Sequence, residues 1–113
     1  MTPQEDTLLA SLLEEMADAG DDLLSQARAA LVESSCACGC GSIGFVYDQH
    51  QTRPTEPASL FPIEGVVLDE GGNTIGGLLL FVRDGRPVDF EVYSYADTPL
   101  PLPTTDHVQW VKR

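Results

Sequence analysis

Three cysteines occupy five positions, Cys36, Cys38 and Cys40, in the run Ser35-Cys36-Ala37-Cys38-Gly39-Cys40-Gly41-Ser42, and the 113-residue chain has no other. Thiolates are soft ligands for zinc, copper(I) or iron, so the cluster points first to a metal such as zinc. The spacing works against that chemistry. Residues two apart in an extended strand lie about 6.6 Å apart and face the same side, whereas sulfurs on one tetrahedral ion must converge. The run would have to curl, which Ala37, Gly39 and Gly41 permit because small residues let backbone wrap closely. A fourth ligand is also required; His50 is taken as that ligand, with His107 and Asp48 as the other candidates.

The same thiols admit plainer roles. Structural zinc motifs repeat a pair of cysteines two or more residues apart. One compact triplet fits better as buried or half-buried structural thiols in a glycine-rich turn. A disulfide between cysteines two apart is strained and easily reduced, the behaviour of a labile switch, and Cys36 with Cys40 could instead close a tight loop. No Cys-x-x-Cys is present, and no basic residue stands beside the thiols to lower their pKa. Thiol nucleophilic catalysis needs a base within hydrogen-bond reach, and sequence alone does not bring His50 or His107 there. Phosphate-cradling loops, a nucleophile elbow and His-Glu-x-x-His are absent. The chain therefore reads as a non-enzyme without a resident cofactor unless the thiols hold zinc. Asp89 and Glu91 read as the solvated face of a strand, able to attract a cation or a basic partner.

Charge narrows the partners. Six basic residues stand against eighteen acidic ones, a net charge of −12, and no basic stripe exists to displace phosphate counterions or to bind an anionic membrane. Nucleic acid and membrane are excluded on that basis, while a basic protein partner is permitted; the plain alternative is that the charge keeps a small protein soluble. The longest apolar run, Leu78-Leu79-Leu80-Phe81-Val82, falls far short of the roughly 20 residues of a membrane-spanning helix. The acidic start, Thr2-Pro3-Gln4-Glu5-Asp6, lacks the order of a secretory signal. With an odd number of cysteines, this predicts a cytoplasmic protein with reduced thiols.

Length and 42% hydrophobic composition fit one domain over residues 1–113. Thr2 as N-cap, Pro3 at the first helical position and Glu5 closing a capping box predict a helix start. Leu8, Leu9, Leu12, Leu13 and Met16 recur on one helical face, Gly20 is expected to end that helix, and Asp21 or Asp22 to begin a second through Ala30. Helices are thus expected over about 3–30, a sheet over about 31–95 and an extended proline-rich tail over 96–113. Residues 63–69, 74–83 and 87–95 form a predicted antiparallel meander, turned by Glu70-Gly71-Gly72-Asn73 and by Asp84-Gly85. Its middle strand is apolar on both sides, so its second face needs cover from the tail or another subunit. Residues 49–62, with Pro54, Pro57 and Pro62, read as a surface loop. In the tail, Val108, Trp110 and Val111 offer anchors onto the domain.

The block Cys36-Ala37-Cys38-Gly39-Cys40-Gly41-Ser42-Ile43-Gly44-Phe45, followed by Gly77-Leu78-Leu79-Leu80-Phe81-Val82-Arg83-Asp84-Gly85-Arg86 and Phe90-Glu91-Val92-Tyr93-Ser94-Tyr95, resembles a group of short uncharacterised bacterial proteins with a cysteine-and-glycine block and then such a hairpin. The resemblance covers about a third of the chain. It implies that block and hairpin share one domain, and it carries no activity.

These readings converge on an α+β fold: two N-terminal helices packed on a mainly antiparallel meander of four or five strands, the cysteine run connecting the first two strands and the tail wrapping the outside. The expected function is a non-enzymatic protein-binding or regulatory module, a candidate homodimer, using its acidic surface and the sheet face around Tyr93 and Tyr95. The alternative is a small metal-binding protein using Cys36, Cys38 and Cys40.

Overall fold

The computed structural model describes residues 1–34, 41–47 and 57–112. Its first element, α1 (Pro3–Leu13), begins as the sequence predicts. The Thr2 hydroxyl accepts from the Glu5 backbone N–H, and the Glu5 carboxylate accepts from the Thr2 N–H at 2.8 Å. Leu8, Leu9, Leu12 and Leu13 are all buried. A 3-10 turn, Glu14–Met16, leads into α2 (Ala17–Ala29). Gly20 corrects an expectation, because it lies inside α2 and not at a helix end. A Cβ there would run into the carbonyl of Leu13, so the glycine is needed for the close approach of α2 to the end of α1. Arg28 on α2 grips Asp6 on α1 with two hydrogen bonds of 2.9 Å. That pairing holds the Asp6 carboxyl below its ordinary pKa.

The sheet is antiparallel and has seven strands, two or three more than expected. These are β1 (Leu31–Ser34), β2 (Ile43–Val46), β3 (Ser59–Leu60), β4 (Ile63–Leu68), β5 (Thr74–Arg83), β6 (Arg86–Ser94) and β7 (Val108–Lys112), in spatial order β1-β2-β6-β5-β4-β7 with β3 also on β5. The meander of β4, β5 and β6 follows the sequence reading. Asp84 and Gly85 take positive φ, 52° and 74°, in one hairpin turn. In the other turn Gly72 has φ 84°, and the Asp69 carboxylate accepts from the backbone N–H of Gly71 and Asn73, each at 2.9 Å. The added strands have plain causes: β3 is two residues long and β7 lies inside the proline-rich tail.

Register assigns each side chain to a face. On the inner face Ile43, Phe90 and Leu80 stand in line, as do Val92, Leu78, Gly65 and Trp110. The helices lie here, and Leu8, Leu9, Leu12, Leu13, Leu23 and Ala27 join these strand residues in one core. Burial of that size, at about 25 cal/mol per Å², is what holds the layers together.

The tail does not cross the second face of the sheet. From Ser94 it turns to the helix side, where the Gln4 side-chain amide donates to the carbonyls of Leu102 and Pro103 at 2.9 and 3.2 Å. A 3-10 turn, Thr105–His107, then delivers β7 in plane against β4. Trp110 anchors the tail, donating from Nε1 to Ser11 Oγ at 2.9 Å.

Candidate functional site

The outer face is the part of the sheet that the helices leave alone. Across it, Glu33 of β1, Gly44 of β2, Asp89 of β6, Phe81 of β5 and Leu60 of β3 stand in one row. Glu91 pairs with Leu79 in the next row, and Tyr93, Gly77 and Val66 form a third. Glu64 pairs with Val111 at the β4–β7 edge. Two successive pairs, Leu79 with Glu91 and Phe81 with Asp89, thus set an apolar side chain on β5 beside a carboxylate on β6.

Five large apolar side chains are substantially exposed among the described residues: Leu31, Val46, Leu60, Tyr95 and Val111, with Leu31 at 74% and Tyr95 at 63%. All five fall on this one face. Leu31 opposes Val46, two residues from the Glu33–Gly44 pair, and Leu60 opposes Phe81. Tyr95 continues the alternation of β6, its ring 5.8 Å from that of Tyr93 at 46°. The Tyr93 ring itself lies over Gly77, where any Cβ would collide with it. Scattered apolar residues are ordinary on a protein surface, whereas a contiguous patch marks an interaction site.

The electrostatics of the face are one-sided. Its charged side chains are Glu33, Glu64, Asp89 and Glu91, with Arg83 near enough to Asp89 to act on its carboxyl. Burial pushes the Asp89 carboxyl above its usual pKa; Arg83 opposes the shift and Glu33 adds to it. Gly44 stands between the two carboxylates. A Cβ placed there would lie 3.5 Å from Asp89 Oδ1 and 3.7 Å from Glu33 Cγ, so the two acidic side chains flank Gly44 at ordinary van der Waals distance.

The predicted metal site cannot be located in the same way: Cys36, Cys38, Cys40 and His50, and the reserve ligand Asp48, lie outside the described residues. Among the described residues no group of three His, Cys, Asp or Glu side chains is placed to hold a metal ion. The other reserve ligand, His107, sits with Nδ1 3.0 Å from the Leu68 carbonyl oxygen, suited to donating there. The flanks of the cysteine run are described. They are β1 and β2, hydrogen-bonded to each other. After the run, the Gly41 N–H donates to the Leu100 carbonyl at 3.1 Å, and Ser42 is buried, its Oγ accepting from the Val92 N–H at 2.8 Å and donating to the Val92 carbonyl at 3.2 Å. A cavity of about 480 Å³, lined by Thr2, Glu5, Val32, Gly41, Ser42 and Ile43 among others, opens beside these residues.

Two further features are structural. Arg86 stacks over the Tyr47 ring at 5.2 Å and donates to Gln26 Oε1 at 3.1 Å, while the Tyr47 hydroxyl donates to the Pro87 carbonyl. Burial raises the Tyr47 pKa to about 12. This cluster ties α2 to the β5–β6 turn. A groove of about 300 Å³ runs between the tail and the end of β4, lined by Leu68, Ile75, Leu100, Leu102 and His107 among others.

Family models, curated proteins and solved structures were all compared with the chain, and none matches. Sequence reasoning found Tyr93, Tyr95, Asp89 and Glu91, but not their meeting with Leu31, Val46, Leu60 and Val111. The one sequence signal for that meeting was a middle strand apolar on both sides. No helix among the described residues is long and apolar enough to cross a membrane.

Proposed function

We propose that this protein is a non-enzymatic binding module that docks another protein on the outer face of its sheet. The observation that carries the reading is the gathering of all five exposed large apolar side chains, among the described residues, on that face. Sheets of this kind bury one face on their own helices and keep the other wet and polar. Here the second face keeps Val66, Leu79, Phe81 and Tyr93 only partly buried and carries no described helix. In this reading the protein works in the cytoplasm, holds no cofactor and catalyses nothing.

The test is photo-crosslinking in cells with a benzophenone amino acid at Phe81, using Gln26 on α2 as the control position. A discrete protein crosslinked from Phe81 alone is then purified and titrated into the chain. Binding that Leu79→Asp removes, with the circular dichroism spectrum and melting temperature unchanged, supports the module. An absence of binding between the purified proteins overturns it.

A second reading, a small metal-binding protein using Cys36, Cys38 and Cys40 with His50, rests on the spacing of three thiols in the sequence. Elemental analysis of untagged protein, combined with thiol titration, separates the two. Less than about a tenth of an equivalent of metal, with freely titrating thiols, removes the metal reading.

A further inference from the structure

Resting on the docking reading above, we propose that the occupant of the outer face is a cationic amphipathic helix, and not a second copy of this chain. The argument comes from how the face divides. Leu79 and Phe81 on β5, with Leu60 opposite Phe81 on β3 and Val66 one row further along β4 opposite Gly77, make an apolar strip interrupted on the β4 side by Glu64. Asp89 and Glu91 on β6, with Glu33 on β1, make an acidic strip directly alongside. A ligand matching both must carry an apolar row beside a basic row.

Spacing and layer geometry favour a helix. Leu79 and Phe81 are two residues apart on a strand, so they repeat at about 6.6–6.8 Å along it. Residues four apart on a helix repeat at about 6 Å, so Leu or similar side chains at i and i+4 can meet both, while lysines or arginines on the adjoining stripe reach Asp89 and Glu91. The inner face of this sheet already seats two helices on its apolar rows, which shows that strand rows of this spacing accept a helix.

A second copy fits poorly. Two such faces would bring four carboxylates from each, with one arginine from each, into a partly desolvated interface between chains of net charge −12. Like charges meeting across an interface suppress that pairing. A basic helix has the opposite effect. Cations beside Glu33 and Asp89 would offset the repulsion between these two carboxylates, which adds to the upward shift of the Asp89 pKa that burial chiefly causes.

The probes are three 18-residue helical peptides with the same leucine stripe and with lysine, glutamine or glutamate on the flanking positions. Each is titrated into the isotopically labelled full chain and followed by amide shifts. The lysine peptide is expected to move Gly44, Leu79, Phe81 and Glu91, and to bind about tenfold more weakly when salt rises from roughly 50 to 250 mM. Glu33→Gln and Asp89→Asn are each expected to weaken it about two- to fivefold. Equal binding of the glutamine peptide to the same residues overturns the cationic occupant and leaves the docking face standing. Concentration-dependent dimerisation in sedimentation, with shifts on this face, overturns it in favour of a second copy. No binding by any peptide also overturns it, while the crosslink from Phe81 separately decides whether the face docks anything.

Discussion

The two faces of the sheet each seat an aromatic ring over a glycine, and they differ in what holds the ring. On the inner face Trp110 lies over Gly65, where a Cβ would come within 2.8 Å of Cζ3, 3.0 Å of Leu78 Cβ and 3.0 Å of Val108 Cγ1. Its indole N–H is tied to Ser11 on α1. On the outer face Tyr93 lies over Gly77 with Tyr95 beside it, and no described helix closes over the pair. The same local device therefore serves two ends. Inside it lets a strand pack tightly under a helix; outside it lays an aromatic pair on a face that no described helix covers.

The comparison is tested most strongly by removing one phenylalanine from each face. Phe90 is fully buried inside, so Phe90→Ala should cost about 3–5 kcal/mol in urea unfolding. Phe81→Ala, at a partly buried side chain, should cost less, about 1–2 kcal/mol, while abolishing partner binding. Equal losses of stability would show that the outer face is as much a core as the inner one. Next in size is Ser42→Ala, which strips a buried acceptor from the Val92 N–H and should cost about 1–3 kcal/mol. Restoration by Ser42→Thr would locate the effect in the hydroxyl.

The glycines give the sharpest contrast. Gly65→Ala forces a methyl among Trp110, Leu78 and Val108 and should destabilise by about 1–3 kcal/mol, as overpacking does. Gly77→Ala sets its methyl against the Tyr93 ring, so a loss of stability is expected together with a changed near-ultraviolet tyrosine signal. The smallest effect is at Asp89. Its folded-state pKa is raised, so the ionised form costs stability at neutral pH, and that cost disappears as pH falls below the ordinary carboxylate range. Asp89→Asn should therefore raise the melting temperature slightly at about pH 7 and leave it unchanged near about pH 3, while weakening a basic partner. Arg83 on β5 and Glu33 on β1 are the charged groups that act on it, the first opposing the shift and the second adding to it.

Local signals were legible in the sequence. Thr2, Pro3 and Glu5 mark the first helix because they satisfy its free N–H groups, and Asp84-Gly85 marks a hairpin because that turn demands positive φ. The meander follows from the two turns. What local patterns do not carry is the partner of a residue. Gly20 looked like a helix end because glycine often is one, and only the contact with Leu13 shows that it is an approach point. Strand β7 was hidden among prolines, since nothing near Val108 says that β4 will need a neighbour. The outer face was half visible for the same reason. Tyr93, Asp89 and Glu91 alternate within one strand, whereas Leu31, Leu60 and Val111 join them only through strand order. The cysteine run, prominent in the sequence, lies outside the described residues.

Ser11 and Trp110 are 99 residues apart in the chain, and their contact has a consequence for synthesis. A ribosome must release nearly all of the 113 residues before β7 can reach β4 and the indole can reach α1. Until then β4 carries an unpaired edge, the kind of exposed strand that recruits neighbouring chains. Closing a loop of that length is also a slow event in folding. Because Trp110 is the single tryptophan, its fluorescence should report that last closure directly, separately from the earlier assembly of helices and meander.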